Sequence, residues 1–263
     1  ADSLVLVNSA SPTTINASAS AEISRLKVNN VAGANLNGNL KISRTLDLQN
    51  GIINISNTNY INLVAGYGPT ITNASAASYI NGKLRQQKFS TTDSIIFPVG
   101  KPGIYRKIVL LANQTSYDDY VEYEAELIAG APISRTLPAT LTNVNQQWYH
   151  QINMVNGSSY FTDATATVDF NTTDGVANSA SLRLAKDDGS TNWIDLEGTA
   201  TGVNSGNITS NTFTTLGDFV LGNVNASTLP VNLISYKAKL MNNTVQLNWQ
   251  VANETNFSGY EIE

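Results

Sequence analysis

The sequence predicts an all-β chain: a short parallel β-solenoid, then a β-sandwich, then a third, incomplete β unit. Three observations carry this. The first is composition. Of 263 residues, 33 are Asn, and Ser and Thr supply most of the remaining polarity. Such side chains compete for backbone hydrogen bonds and disfavour helix interiors, while Thr and Val suit strands. The second is alternation with a period of two. Val121, Tyr123, Ala125 and Leu127 alternate with Glu122, Glu124 and Glu126, and Ala164, Ala166, Val168 and Phe170 alternate with Asp163, Thr165, Thr167 and Asp169. Each pattern is that of a half-buried strand. The third is punctuation. Asn37-Gly38, Asn50-Gly51, Asn81-Gly82, Asn156-Gly157, Asp174-Gly175 and Asp188-Gly189 stand where tight turns need positive φ.

Residues 1–78 read as solenoid repeats. Ile23-Ser24-Arg25 recurs as Ile42-Ser43-Arg44, nineteen residues later, and the same register gives Leu4, Ile61 and Ile80. That spacing fits one coil of a parallel solenoid with equivalent positions stacked inward, and an ordinary sandwich start is the alternative. A coil cannot bury its face alone, so an end must be capped or joined to something. Residues 79–225 read as the sandwich, with Phe97, Trp148, Trp193 and Phe219 as large core residues and 131–147 as a long connection. Residues 226–263 read as a polar linker and the first strands of the third unit. Ile234, Tyr236, Ala238 and Leu240 alternate, Asn242-Asn243 turn, and Val245, Leu247, Trp249 and Val251 follow. Three strands are too few for an independent sandwich, which takes about seven.

Composition also excludes classes. With no cysteine there is no disulfide framework, thiolate site or Cys nucleophile. Charged residues are 13% of the chain, the net charge is -5, and Lys and Arg are scattered, so nucleic acid is rejected as a partner. No apolar run approaches the roughly 18 residues of a membrane span. Ala1-Asp2-Ser3 lacks a basic segment followed by an apolar core, so a signal peptide, if one existed, is expected to have been removed already.

Leu229-Pro230-Val231-Asn232-Leu233-Ile234-Ser235-Tyr236-Lys237-Ala238, then Val245-Gln246-Leu247-Asn248-Trp249, then Asn256-Phe257-Ser258-Gly259-Tyr260-Glu261-Ile262-Glu263 resemble a recurrent segment of secreted Bacteroidota proteins. In that family the segment opens a fibronectin-III-like domain standing before a type IX secretion sorting domain. Ser78-Tyr79-Ile80-Asn81-Gly82-Lys83-Leu84-Arg85, Phe97-Pro98-Val99-Gly100-Lys101 and Tyr105-Arg106 are similar to a pattern in large adhesin-like surface proteins of that phylum. The resemblance implies type IX export and an extracellular or outer-surface location, and implies no catalytic activity. Asp2-Ser3-Leu4 and Asp93-Ser94-Ile95 resemble the O-glycosylation motif of the phylum, making Ser3 and Ser94 the glycosylation candidates.

Candidate chemistry is sparse. His150 is the single histidine, on a strand with no nucleophile signature nearby, and reads as structural or solvent-facing. The Glu122, Glu124 and Glu126 ladder reads as a solvated face relieved by cross-strand cations such as Lys107. Asp187 and Asp188, followed by Gly189 and Ser190, are the candidate metal ligands. Ca2+ is the ion their oxygens suit, but the loop lacks EF-hand spacing and a hairpin turn explains the Asp-Gly step. No other cofactor is expected. No paired carboxylates stand out for glycoside hydrolysis, and about four coils is shorter than the groove of β-helical polysaccharide lyases. Tyr60, Tyr67 and Tyr117 are candidate sugar-stacking residues beside the plainer reading of loop tyrosines. The expected function is therefore an extracellular structural or adhesive module rather than an enzyme, self-assembling into a fibre by strand addition through residues 229–263. The alternative is a carbohydrate-binding module of a secreted polysaccharide-degrading protein, with surface glycans as partners.

Overall fold

Apolar residues at every second position, interrupted by glycine corners, wind the first eighty residues into coils. The computed structural model describes residues 2–56, 58–66, 68–115, 120–175, 179–224, 232–241 and 244–252. The chain passes alternately through two parallel sheets. One holds β1 (Ser3–Leu6), β3 (Glu22–Asn29), β5 (Leu40–Asn50) and β7 (Tyr60–Leu63). The other holds β2 (Thr13–Asn16), β4 (Ala34–Asn37), β6 (Ile53–Ile55) and β9 (Ile80–Asn81). β8 (Thr70–Thr72) pairs the far half of β5, completing the pass that β7 begins. This is the predicted solenoid, of about four turns.

The nineteen-residue register holds for Ile23 on Ile42, but not throughout. Leu4 stacks on Leu26, Ile61 on Leu40 and Ile80 on Ile53. Loops of different length absorb the difference, and bulges in the β3–β5 pair shift its register further. The fold keeps the inward apolar positions in line and lets coil length vary. The six predicted glycine turns all have positive φ. At Gly51 the reason is also spatial: a Cβ there would lie 1.8 Å from the Asn30 carbonyl oxygen of the coil before it.

The predicted cap is the sandwich itself. β10 (Lys83–Lys88) pairs parallel with β7 and antiparallel with β15 (Val121–Ala129). The solenoid sheet therefore runs on through β10, β15, β17 (Trp148–Asn156), β23 (Gly217–Asn223), β19 (Leu182–Asp187) and β20 (Trp193–Asp195). Inward residues Leu40, Ile61, Leu84, Ala125 and Ile152 align across five strands without a break at the seam. All five are buried, and they belong to one core spanning Leu6 to Leu221. Each of the four Leu and Ile side chains contributes roughly 1.5–3 kcal/mol of transfer free energy, and Ala125 less.

The facing sheet is antiparallel: β11 (Thr92–Phe97), β14 (Ile108–Gln114), β18 (Phe161–Asn171), β22 (Ser205–Thr209) and β21 (Thr199–Thr201). Phe97, Trp148 and Phe219 are fully buried, as predicted. Trp193 is buried too, but in a second, smaller cluster with Leu141, Val144, Ala185 and Val220. The 131–147 connection folds over the outer face of the large sheet there, carrying β16 (Asn143–Val144) onto β23. A small hairpin joins β12 (Gly100–Lys101) to β13 (Ile104–Tyr105). At the C-terminal side β24 (Asn232–Met241) and β25 (Thr244–Ala252) pair antiparallel as a two-stranded sheet. The predicted linker core at 225–231, the turn at Asn242-Asn243 and the strand after 252 lie outside the described residues.

Candidate functional surfaces

The residues one step out of phase with the core row line the outer face of the large sheet. Glu22, Lys41, Asn62, Arg85, Glu124 and Asn153 align in register across six strands. The predicted carboxylate ladder lies on this face, but it is not solvated: Glu122, Glu124 and Glu126 are each only 6–7% exposed. Their cations come from elements other than the one expected. Arg85 Nε donates to Glu124 Oε2 at 2.6 Å, and Lys101 Nζ reaches Glu126 Oε1 at 2.7 Å. Gln87 Nε2 and Asn62 Nδ2 donate to Glu122 Oε2 at 2.7 and 3.2 Å. Lys107 instead meets Asp169. The guanidinium of Arg85 lies 3.7 Å from the Tyr60 ring centroid, so a cation occupies one face of that candidate sugar-stacking ring. The ladder is thus a neutralised, cross-linked network rather than a free acidic site.

His150 is fully buried between the sheets. Its Nε2 lies 2.8 Å from the Arg106 carbonyl oxygen, which can only accept, so the ring carries its proton on Nε2. Nδ1 has no partner. Burial lowers the imidazole pKa to about 4, so the ring is neutral. Next to it Arg106 forms a two-pronged pair with Asp174, Nε to Oδ2 at 2.7 Å and Nη2 to Oδ1 at 2.8 Å, and Trp148 Nε1 also donates to Asp174 Oδ1 at 2.7 Å. Asp174 closes a capping box with Asn171 at a short 3-10 turn. No local sequence signal pairs Arg106 with a residue 68 positions away.

Asp187 and Asp188 are separated in function by the strand end between them. Asp187 Oδ2 meets Arg135 Nη2 at 3.3 Å, Asp187 Oδ1 lies 3.5 Å from Lys186 Nζ, and Arg135 also holds Asp218 Oδ2 at 2.9 Å. Desolvation lowers the Lys186 pKa, opposed by Asp187 beside it. Asp188 sits in the hairpin loop, where it accepts from the Ser190 and Asn192 amides and from Asn192 Nδ2. The two carboxylates are thus engaged by different protein donors, and among the described residues no three His, Asp or Glu side chains gather as a metal site would require.

No family model, curated protein or solved structure matches this chain. The surfaces therefore have to be read on their own chemistry. Among the described residues, no helix is long and apolar enough to cross a membrane. An open groove of about 380 Å3 is lined by Ile152, Met154, Phe161 and Leu216 with Ser158 and Thr214, and holds no titratable side chain. Ser3 and Ser94 are both exposed, each on a strand at the edge of its sheet. Tyr67 and Tyr117 lie outside the described residues.

The β24–β25 hairpin is the surface most at odds with a solvated end state. Cross-strand pairs Tyr236–Trp249, Ala238–Leu247 and Leu240–Val245 fall on one face. Tyr236, Leu240 and Val245 are 57, 73 and 59% exposed. Lys237, Lys239, Gln246, Asn248 and Gln250 occupy the other face by alternation. A two-stranded ribbon is marginal alone, which makes this face the candidate docking surface among the described residues.

Proposed function

We propose that the protein is an extracellular structural and adhesive module that assembles with copies of itself through the β24–β25 ribbon. The observation that carries this reading is the exposure of Tyr236, Leu240 and Val245 on one face of the hairpin, in line with Ala238 and Leu247. Burying that face against a neighbouring copy supplies apolar contact, and strand addition along the ribbon would supply backbone hydrogen bonds. A head-to-tail arrangement whose rotation does not close into a ring extends into a fibre, and that is the assembly proposed. The shared core of solenoid and sandwich supports the reading by joining the two into a stiff body without disulfides. The sequence resemblance to Bacteroidota adhesin-like proteins supports a reading of the module as type IX cargo at the cell exterior, with Ser3 and Ser94 exposed for O-glycosylation.

Sedimentation velocity over a range of concentrations tests the assembly. The chain is expected to grow in mass beyond its 28.2 kDa monomer as concentration rises, and Leu240→Lys with Trp249→Lys to remain monomeric. A wild-type chain that stays monomeric throughout, with the ribbon amides protected from exchange, contradicts it.

A further inference from the structure

The two outer faces of the solenoid differ in a way that folding does not demand. The face built from β3 and β5 is charged, with Glu22, Arg25, Lys27, Lys41, Arg44 and Asp47. The opposite sheet, of β2, β4, β6 and β9, reads Thr-Thr-Ile-Asn, Ala-Asn-Leu-Asn, Ile-Asn-Ile and Ile-Asn, with no charge at all. Its outward positions stack in columns: Thr14 on Asn35 on Asn54 on Asn81, and Asn16 on Asn37. The inward neighbours Ile15, Leu36, Ile53, Ile55 and Ile80 anchor the strands in the core.

The amides form a ladder in one direction. Asn37 Nδ2 donates to Asn16 Oδ1 at 3.1 Å, Asn54 Nδ2 to Asn35 Oδ1 at 3.2 Å, and Asn81 Nδ2 to Asn54 Oδ1 at 2.9 Å. Such ladders stabilise stacked strands. They do not explain why no Lys or Glu stands anywhere on the sheet, since solvation alone favours charge on an exposed face. Each bond within a column uses only part of an amide's capacity, leaving an N–H or a lone pair for an outside partner. The side chains are held in place by their neighbours, so little rotamer freedom remains to be lost on binding.

From this geometry we infer that the outer face of the β2–β4–β6–β9 sheet binds an uncharged polysaccharide. A hydroxyl both donates and accepts, which matches a surface of half-used amides. An uncharged surface gives no attraction to anionic or cationic polymers and desolvates no ion. The columns repeat at the interstrand spacing of about 4.8 Å, so a long chain engages several coils together. No aromatic residue stands in these four strands to stack on a sugar ring, so single contacts are weak and binding depends on chain length. The inference gives the adhesive half of the proposed function its surface and does not depend on assembly.

Affinity electrophoresis of the full chain tests it, with mannan, dextran, xyloglucan or a β-1,3-glucan embedded in the gel, and alginate as the anionic comparison. At least one neutral polymer is expected to retard the chain equally at low and high salt, with short oligosaccharides failing to compete. Asn35→Asp with Asn54→Asp weakens retardation by about tenfold or more. The exposed pair Thr14→Lys and Asn37→Lys, a second disruption of the same face, does likewise. Lys41→Gln on the opposite face has no effect. The assembly variant Leu240→Lys with Trp249→Lys still binds, which separates this inference from the fibre. Retardation by none of the neutral polymers overturns it. So does retardation by alginate that salt abolishes, or unchanged binding by either folded face variant.

Discussion

His150 shows how a residue can invite a functional reading and answer with a structural one. Its folded pKa, held at about 4 by burial, lies below its ordinary 6.5. The unfolded chain therefore binds a proton at this site that the folded chain refuses. Stability is complete above pH 6.5 and is lost as pH falls through that value towards 4, by roughly 3 kcal/mol in all. Urea unfolding across that window is expected to show the loss in the wild-type chain and a shallower slope in His150→Gln. Equal slopes in the two proteins would remove His150 as the cause. The sequence leaves the inward phase of His150 open between a structural and a solvent-facing role, but the strand that carries it is readable. Its acceptor on Arg106, and Asp174 beyond it, are not, because a partner across two sheets leaves no mark in local spacing. Asp187 is similar: its neighbour Lys186 is adjacent in sequence, but Arg135 arrives from a long connection whose course only the fold reveals.

Strands and turns were the legible elements, for physical reasons. A half-buried strand writes its two faces into alternate residues, and a positive-φ corner selects Asn-Gly or Asp-Gly. Strand order was less legible. Nothing in Lys83-Leu84-Arg85-Gln86-Gln87-Lys88 announces that β10 serves two architectures, parallel on one side and antiparallel on the other. Coil length departs from nineteen residues where loops take up extra residues. The buried state of Glu122, Glu124 and Glu126 leaves no mark in the sequence, because alternation marks a face as polar without saying what covers it. At this scale the glycine corners give the sharpest expectation. Gly51 and Gly189 both have positive φ, 92° and 80°, but a Cβ at Gly189 meets nothing within 4 Å. Gly189→Ala should therefore cost backbone strain of about 1–2 kcal/mol, and Gly51→Ala clearly more, because the coils must also separate. Chemical denaturation of the two variants compares them, and equal losses would mean that coil stacking at Gly51 tolerates a methyl group.

Over the whole molecule, the solenoid and the sandwich share a strand, a sheet and a core. Neither has an independent hydrophobic interior to retreat to: the row Leu40, Ile61, Leu84, Ala125 and Ile152 belongs to both. A body of this kind resists bending at its junction, which is the property that a load-carrying or surface-presenting role requires. The sequence revealed that the solenoid needs a cap, and the structure identifies the cap as the next architecture in the chain. Differential scanning calorimetry under reversible conditions tests this unity most directly. A single transition for the solenoid and sandwich, with calorimetric and van't Hoff enthalpies in agreement, is the predicted result. Two resolved transitions, with the β-solenoid strands losing exchange protection while β14 and β18 keep theirs, would contradict it.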